Sequence, residues 1–392
     1  MHAAGAARRT VDWDVCGIVG VRVVDADPAD VAAVARQLGA ASARPLDRAP
    51  DVVVRFVDRI GTRGTVRRLG DGRSGVADGT YVLLGPGRDG HPVARVPFAS
   101  LGGAFEMECE RGLRGGVPLL VPIVNVTALD RGWVPLHASA FVYGGVGVLT
   151  AGRAHGGKTA TLLAFMARGA SYVGDDWVYL GGDGASMRGL DQEVGVRGSY
   201  LRQLPELRAR LERAQPAATR ARTRALELLQ RAERAVPVSH GAATTTVGLR
   251  HRVRAAIEWR LSAHVAADAL FGAAACAGTG RLDVVLLADV HDAPDVRVRA
   301  ADAGEAAGEL ARGLEHEWGE LLMHYRAFRS AFPGESSPVL EERERRRDAI
   351  LSRALAGRAA WVVSHPSPAS LAGLHDALAP VLAPAMTTTG SR

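Results

Sequence analysis

Lysine is all but missing from this chain. Of 48 basic residues among 392, Lys158 alone is lysine and the rest are arginine. With arginine as the default cation, an arginine cluster says little about partners. A formal net charge of +6 does not demand nucleic acid either. Cysteine is scarce too. Cys16, Cys109 and Cys276 are odd in number, far apart and free of metal-ligand spacing. That excludes a disulfide framework or zinc finger and leaves reduced thiols packed as small apolar side chains. Long apolar runs are also lacking. The longest uncharged stretch, "GWVPLHASAFVYGGVGVLTAG" (132–152), is interrupted by Pro135, His137 and several glycines, so it reads as two buried strands and a turn, not a membrane span. Arg8-Arg9 near the start is not followed by the apolar segment of a signal peptide. These absences lead to the expectation of a cytoplasmic protein without a membrane partner.

What is present reads as two regions. Residues 1–125 alternate short apolar runs with turn signals: "CGIVGVRVV", "DVVVRFVDRIG" and "GTYVLLGPGRDGHPVARVPF". A helix is expected at "PADVAAVARQLGAA", with Asp27 or Pro28 near its start and Gly39 near its end. This is a small α+β N-terminal domain without a chemical motif. The boundary lies within 111–132, and the second domain is expected over 126–384. There "PLHASAFVYGG" and "VGVLTAG" are β-branched runs joined by Gly144-Gly145, which suggests paired strands. "KTATLLAFMARG" predicts a helix ended by Gly169, and "ASYVGDDWVYL" the next strand. Strand, glycine-rich loop, helix and strand in this order predict a βαβ unit in a parallel sheet covered by helices. Further on, 204–235 reads as an arginine-rich helix broken at Pro216, and "RLDVVLLADV" (281–290) as a buried strand. "EHEWGELLMHYRAFRSAF" (315–332) reads as a helix and "AAWVVSHP" (359–366) as a last strand before a C-terminal helix. Residues 385–392 read as a disordered tail.

The lone lysine sits in a pattern. Gly152-Arg153-Ala154-His155-Gly156-Gly157-Lys158-Thr159 satisfies G-x-x-x-x-G-K-[ST], with a hydrophobic strand before it and a helix after. Glycines allow backbone N–H groups to turn inward around phosphate oxygens, and the helix N-terminus adds partial positive charge. Lysine reaches the terminal phosphates as a compact ammonium, and Thr159 offers a hydroxyl to Mg²⁺. Arginine's planar fork cannot occupy that space. A drift toward arginine would therefore stop at this position. The pattern predicts nucleoside-triphosphate binding through residues 152–159 and Thr161 on the first turns of the helix. Seventeen residues beyond Lys158 stands Asp175-Asp176. At a strand end beside the loop, one carboxylate can address a metal while the other faces an incoming acceptor.

The region 134–180, including the unbroken "LHASAFVYGGVGVLTAGRAHGGKTATLLAFMARGASYVGDDWVYL", resembles the catalytic core of HPr kinase/phosphorylase and its HPr-kinase-like relatives. A His-bearing strand, a Gly turn, a strand into the loop, a helix ending "RG" and a strand ending in Asp-Asp coincide in order. "VRGSYLRQLPEL" (196–207) is similar to a segment of the smaller HPr-kinase-like proteins found near peptide natural-product genes. The resemblance implies an α/β fold whose central sheet is flanked by helices. It implies ATP held by the loop, Mg²⁺ on Thr159 and Asp175, Asp176 as the base for an acceptor hydroxyl, and His137 close to the transferring phosphoryl group. Arg197 or Arg202 would add charge to the phosphates, and a homo-oligomer would fit the family's habit of assembly. Gly195 stands where the bifunctional enzymes carry a metal-binding Glu, the nearest acid being Glu193, and their C-terminal docking loop has no counterpart. The implied activity is thus phosphoryl transfer from ATP to a Ser or Thr hydroxyl of a peptide or small protein, or to a small-molecule hydroxyl. A non-catalytic ATP-binding module is the competing reading, against which the Asp pair stands. A carboxykinase would need a second lysine, and the chain has none.

Overall fold

The computed structural model describes residues 8–70, 72–86, 90–113, 115–214, 228 and 263–389. It is a mixed α/β protein built on two large sheets. The first takes up β1 (Arg9–Val15), β2 (Val19–Ala26), β3 (Val52–Val57), β4 (Arg67–Leu69), β5 (Ser74–Ala77), β6 (Thr80–Leu84), β7 (Pro92–Arg95) and β8 (Phe105–Glu110). Its strand order is β1-β2-β3-β8-β7-β6-β5-β4. Helix α1 (Pro28–Leu38) starts where expected, with the Asp27 carboxylate accepting from the N–H groups of Ala29 and Asp30, and ends at Gly39. Helix α2 (Leu120–Asp130) spans the expected boundary at residue 125.

The second sheet begins with β9 (Trp133–Tyr143) and β10 (Val146–Gly152). Gly144 and Gly145 both have positive φ (+56° and +82°). That geometry makes the two-residue turn of an antiparallel hairpin, and β9 and β10 pair accordingly. Helix α3 (Lys158–Met166) follows, then β11 (Ser171–Gly174), β12 (Trp177–Gly181) and β13 (Ser186–Gly189). A two-stranded ladder of β14 (Glu193–Val196) and β15 (Ala263–Ala266) stands apart, with α4 (Gly198–Leu201), α5 (Pro205–Ala214) and α6 (Ala267–Phe271) near it in sequence. The sheet is completed by β16 (Thr279–Arg281), β17 (Val284–Val290), β18 (Arg297–Ala301) and β19 (Ala359–His365). Between the last two strands come α7 (Ala303–Glu317), α8 (Gly319–Ala331) and α9 (Pro338–Leu355), and α10 (Leu371–Thr389) closes the chain. The order is β16-β13-β12-β9-β10-β17-β19-β18, with β11 also on β9.

The parallel sheet expected from the sequence is a mixed one. β10 runs parallel to β17, and β17 to β19, but β10 is antiparallel to β9. With both edges of β10 taken, the strand after α3 docks on the far edge of β9 instead. The expected strand 170–180 is accordingly two strands, broken at Asp175-Asp176. The expected helix 315–332 covers the end of α7 and all of α8, with buried Trp318 between them. Most of the expected helix 204–235 lies outside the described residues. Helicity continues to Thr389, through the first part of the tail read as disordered, because Leu374, Leu378 and Leu382 bury one face of α10. Residues 390–392 lie outside the described residues.

The central strands are apolar on both faces, as strands covered twice must be. Phe141, Val148, Val284 and Leu286 join the core under α3 and α10. Leu149, Ala151, Val285 and Leu287 enter a second core with α2, α7 and α9. That second core is continuous with Val19, Val21 and Val23 of the first sheet. Among the described residues no helix is long and apolar enough to cross a membrane.

Candidate functional site

β10 ends at Gly152 and delivers the chain into the loop 152–157, which turns directly into α3. Gly157 has φ +105°, and a Cβ there would lie 1.8 Å from Nε2 of His365. Only glycine fits that backbone against that ring. No side chain caps α3, so its first N–H groups face the loop's opening as a ready anion site. Within the loop Gly156 N–H donates to the Arg153 carbonyl at 2.9 Å, while Arg153, Ala154 and His155 are exposed.

Lys158 is buried, and its ammonium donates to the carbonyls of Gly152 and Arg153, both at 3.1 Å. Burial lowers its pKa, opposed by Asp175, Asp176 and Glu317. Thr159 Oγ1 donates to the carboxylate of Asp175, at 3.1 and 3.3 Å from its two oxygens. Asp175 is itself buried. Burial first, then the neighbouring Asp176 charge, raises its pKa against the Thr159 hydrogen bond. Thr161 is turned away from the opening: it is fully buried and its hydroxyl donates to the Gly157 carbonyl at 3.2 Å. It braces the first turn of α3.

The Asp pair sits at the break between β11 and β12, midway along the edge of β9 rather than at the end of a parallel strand. Asp176 adopts φ +65°, which undoes the pleat. Asp175 then points inward to Thr159 while the half-exposed Asp176 faces His137 on β9, its Oδ1 3.8 Å from His137 Nε2. The His137 ring stacks on Trp177 with centroids 5.8 Å apart. Its Nδ1–H donates to Glu317, the last residue of α7, at 2.5 Å. That hydrogen bond holds the Glu317 carboxyl below its usual range, against burial.

Arg197 Nη2–H donates to His155 Nδ1 at 2.5 Å, which brings Arg197 onto the loop. Partial desolvation, then the Arg197 and Lys158 charges, lower the His155 pKa although the residue as a whole is exposed. Arg202 lies at the opposite end of α4. Three contributors escape a reading of the sequence. Glu317 lies 180 positions from His137, in a "HEW" whose evident feature is the missing second histidine of a metalloprotease helix. His365, 1% exposed, stands in an uninformative "SHP". Ser139 donates from β9 to the Lys158 carbonyl at 2.9 Å, and only the pairing of β9 with β10 puts it there. No known family model matches this chain, nor does any curated protein.

Proposed function

We propose that this protein transfers the terminal phosphoryl group of ATP to an alcohol, the hydroxyl of a Ser or Thr in a peptide or small protein or of a small molecule. The observation that carries the reading is the division of labour in the Asp pair. Asp175 is buried against Thr159, and Asp176 is exposed beside His137. A module that only binds nucleotide has no use for the second carboxylate. The same arrangement supports the HPr-kinase-like reading of residues 134–180.

The Thr159 hydroxyl and the Asp175 carboxylate, adjacent to an uncapped helix N-terminus, suit Mg²⁺, which favours one or two protein oxygens together with phosphate and water. Among the described residues no cluster of three or more His, Cys, Asp or Glu could hold a metal ion. Mg²⁺, when bound, supplies charge neutralisation at the phosphate oxygens. Lys158 exchanges its two carbonyl partners for oxygens of the β- and γ-phosphates. The loop amides hold the phosphate chain in line. Asp176 accepts the proton of the acceptor hydroxyl as the new O–P bond forms. The bond from the γ-phosphorus to the β–γ bridging oxygen breaks, and ADP leaves with that electron pair.

The test uses γ-labelled ATP and a fluorescent ATP analogue. Lys158→Arg should lower turnover by about 10²-fold or more although charge is kept. Asp176→Asn should bind the analogue normally and lose about 10²- to 10⁴-fold in transfer. Wild-type turnover in Lys158→Arg sinks the phosphate-loop assignment, and normal transfer by Asp176→Asn removes Asp176 as the base.

A further inference from the structure

Beside the phosphate loop, between β9 and α7, lies a cavity of about 360 Å³; Asp176 adjoins it through His137, whose Nε2 lies 3.8 Å from the Asp176 Oδ1. One wall is Gly152–Ala154 of the loop, another is Leu136 and His137 of β9, and the roof is the face of α7 bearing Leu310, Gly313 and Glu317. Leu136 and Leu310 are buried, so part of the lining is apolar. Polar groups line it too: His137 and Glu317, which meet there, with Glu309, Arg312 and His316 of α7 and Arg153 of the loop. An occupant would lie between the His137–Glu317 pair and the first half of the loop.

Glu317 is oddly placed for a purely structural carboxylate. As the last residue of α7 it sits at the negative end of the helix dipole, where an acid is disfavoured. Its hydrogen bond to His137 Nδ1 fixes the ring so that Nε2 turns to Asp176.

Resting on the phosphotransferase reading, we propose that this cavity receives the acceptor alcohol and that Glu317 is a positioning residue, holding His137 beside the oxygen that Asp176 deprotonates. The shared chemistry is a hydroxyl on a short, partly apolar group. It could arrive as a free small alcohol or as a serine side chain of a peptide.

The full chain is assayed with γ-labelled ATP and Mg²⁺ against glycerol and against a short serine-containing peptide, with water as background acceptor. Gly313 is a safe place to fill the cavity, because a Cβ there meets nothing within 4 Å and a side chain suits a helix better than glycine does. Gly313→Trp should keep affinity for the fluorescent ATP analogue within about twofold and lower alcohol transfer about tenfold or more. Saturable transfer to glycerol identifies a free small alcohol; transfer to the peptide alone identifies the side chain. Glu317→Ala should lower kcat about tenfold with KM for ATP unchanged. Glu317→Gln, whose amide oxygen still accepts from His137, should restore most of it. Wild-type transfer in Gly313→Trp overturns the cavity assignment. Equal losses in the Ala and Gln variants with a raised KM overturn the positioning role. A wild-type protein that binds the analogue but phosphorylates neither probe also overturns the proposal. Failure to bind the analogue at all refutes the nucleotide reading instead.

Discussion

At the scale of single residues, the lysine and the glycine before it answer to different constraints. On the proposed function Lys158 answers to what its ammonium must reach, whereas Gly157 answers to what surrounds its Cα. Gly157→Ala would place a methyl group 1.8 Å from His365 Nε2 at φ +105°. We expect the loop to shift, with a stability loss of about 1–3 kcal/mol and weaker binding of the fluorescent ATP analogue; a melting curve and a titration check both. Asp12, far from the loop, shows how pH should act on stability. Its carboxylate accepts from Arg22 at 2.8 and 3.0 Å and from Leu46 N–H at 3.0 Å. The Arg22 hydrogen bond chiefly holds its pKa below the usual value, against burial. A depressed folded pKa stabilises fully above the unfolded value near ~4 and fades as pH falls through the folded one. Asp12→Asn should therefore cost about 1–3 kcal/mol near neutrality and progressively less on acidification, measured by urea unfolding at several pH values.

At the scale of elements, the site depends on α3 lying squarely on β9 and β10. Phe165 of α3 stacks on Phe141 of β9 with centroids 4.8 Å apart, and both are fully buried. Phe165→Ala should destabilise the protein by about 3–5 kcal/mol, seen as a lower melting temperature, and should loosen nucleotide binding by tilting the helix that carries Lys158. The unit β10–loop–α3 is legible in the sequence because every cue in it is local: a β-branched run, glycines, then a helix-forming segment. The Gly144-Gly145 hairpin is legible for the same reason. The break at Asp175-Asp176 is legible only in part, as a strand end and not as the start of a second strand on the same edge of β9. Its apolar flanks read as one strand, and only the left-handed backbone of Asp176 sends the two carboxylates to different neighbours.

At the scale of the whole molecule, the first sheet is part of the support of β10 and the loop 152–157. The core holding Val19, Val21 and Val23 is the one that backs Leu149 and Leu287 through α2 and α9. Cys16 Sγ–H also donates to the Gly189 carbonyl, and Arg188 to the Cys16 carbonyl. Deleting residues 1–125 would cut inside α2 and strip that core. The remaining fragment should bind a hydrophobic dye and aggregate; a monodisperse, cooperatively melting fragment would show two separable domains. The sequence by itself determined the loop, its lysine, the neighbouring carboxylates and the α/β class, since each rests on contiguous residues whose chemistry needs no partner from afar. The tertiary structure alone decided the strand order, the union of the two regions in one core, and the arrival of Glu317, His365 and Ser139 at the loop. Those outcomes depend on which apolar faces bury one another, and residues 180 positions apart meet only after that burial is complete.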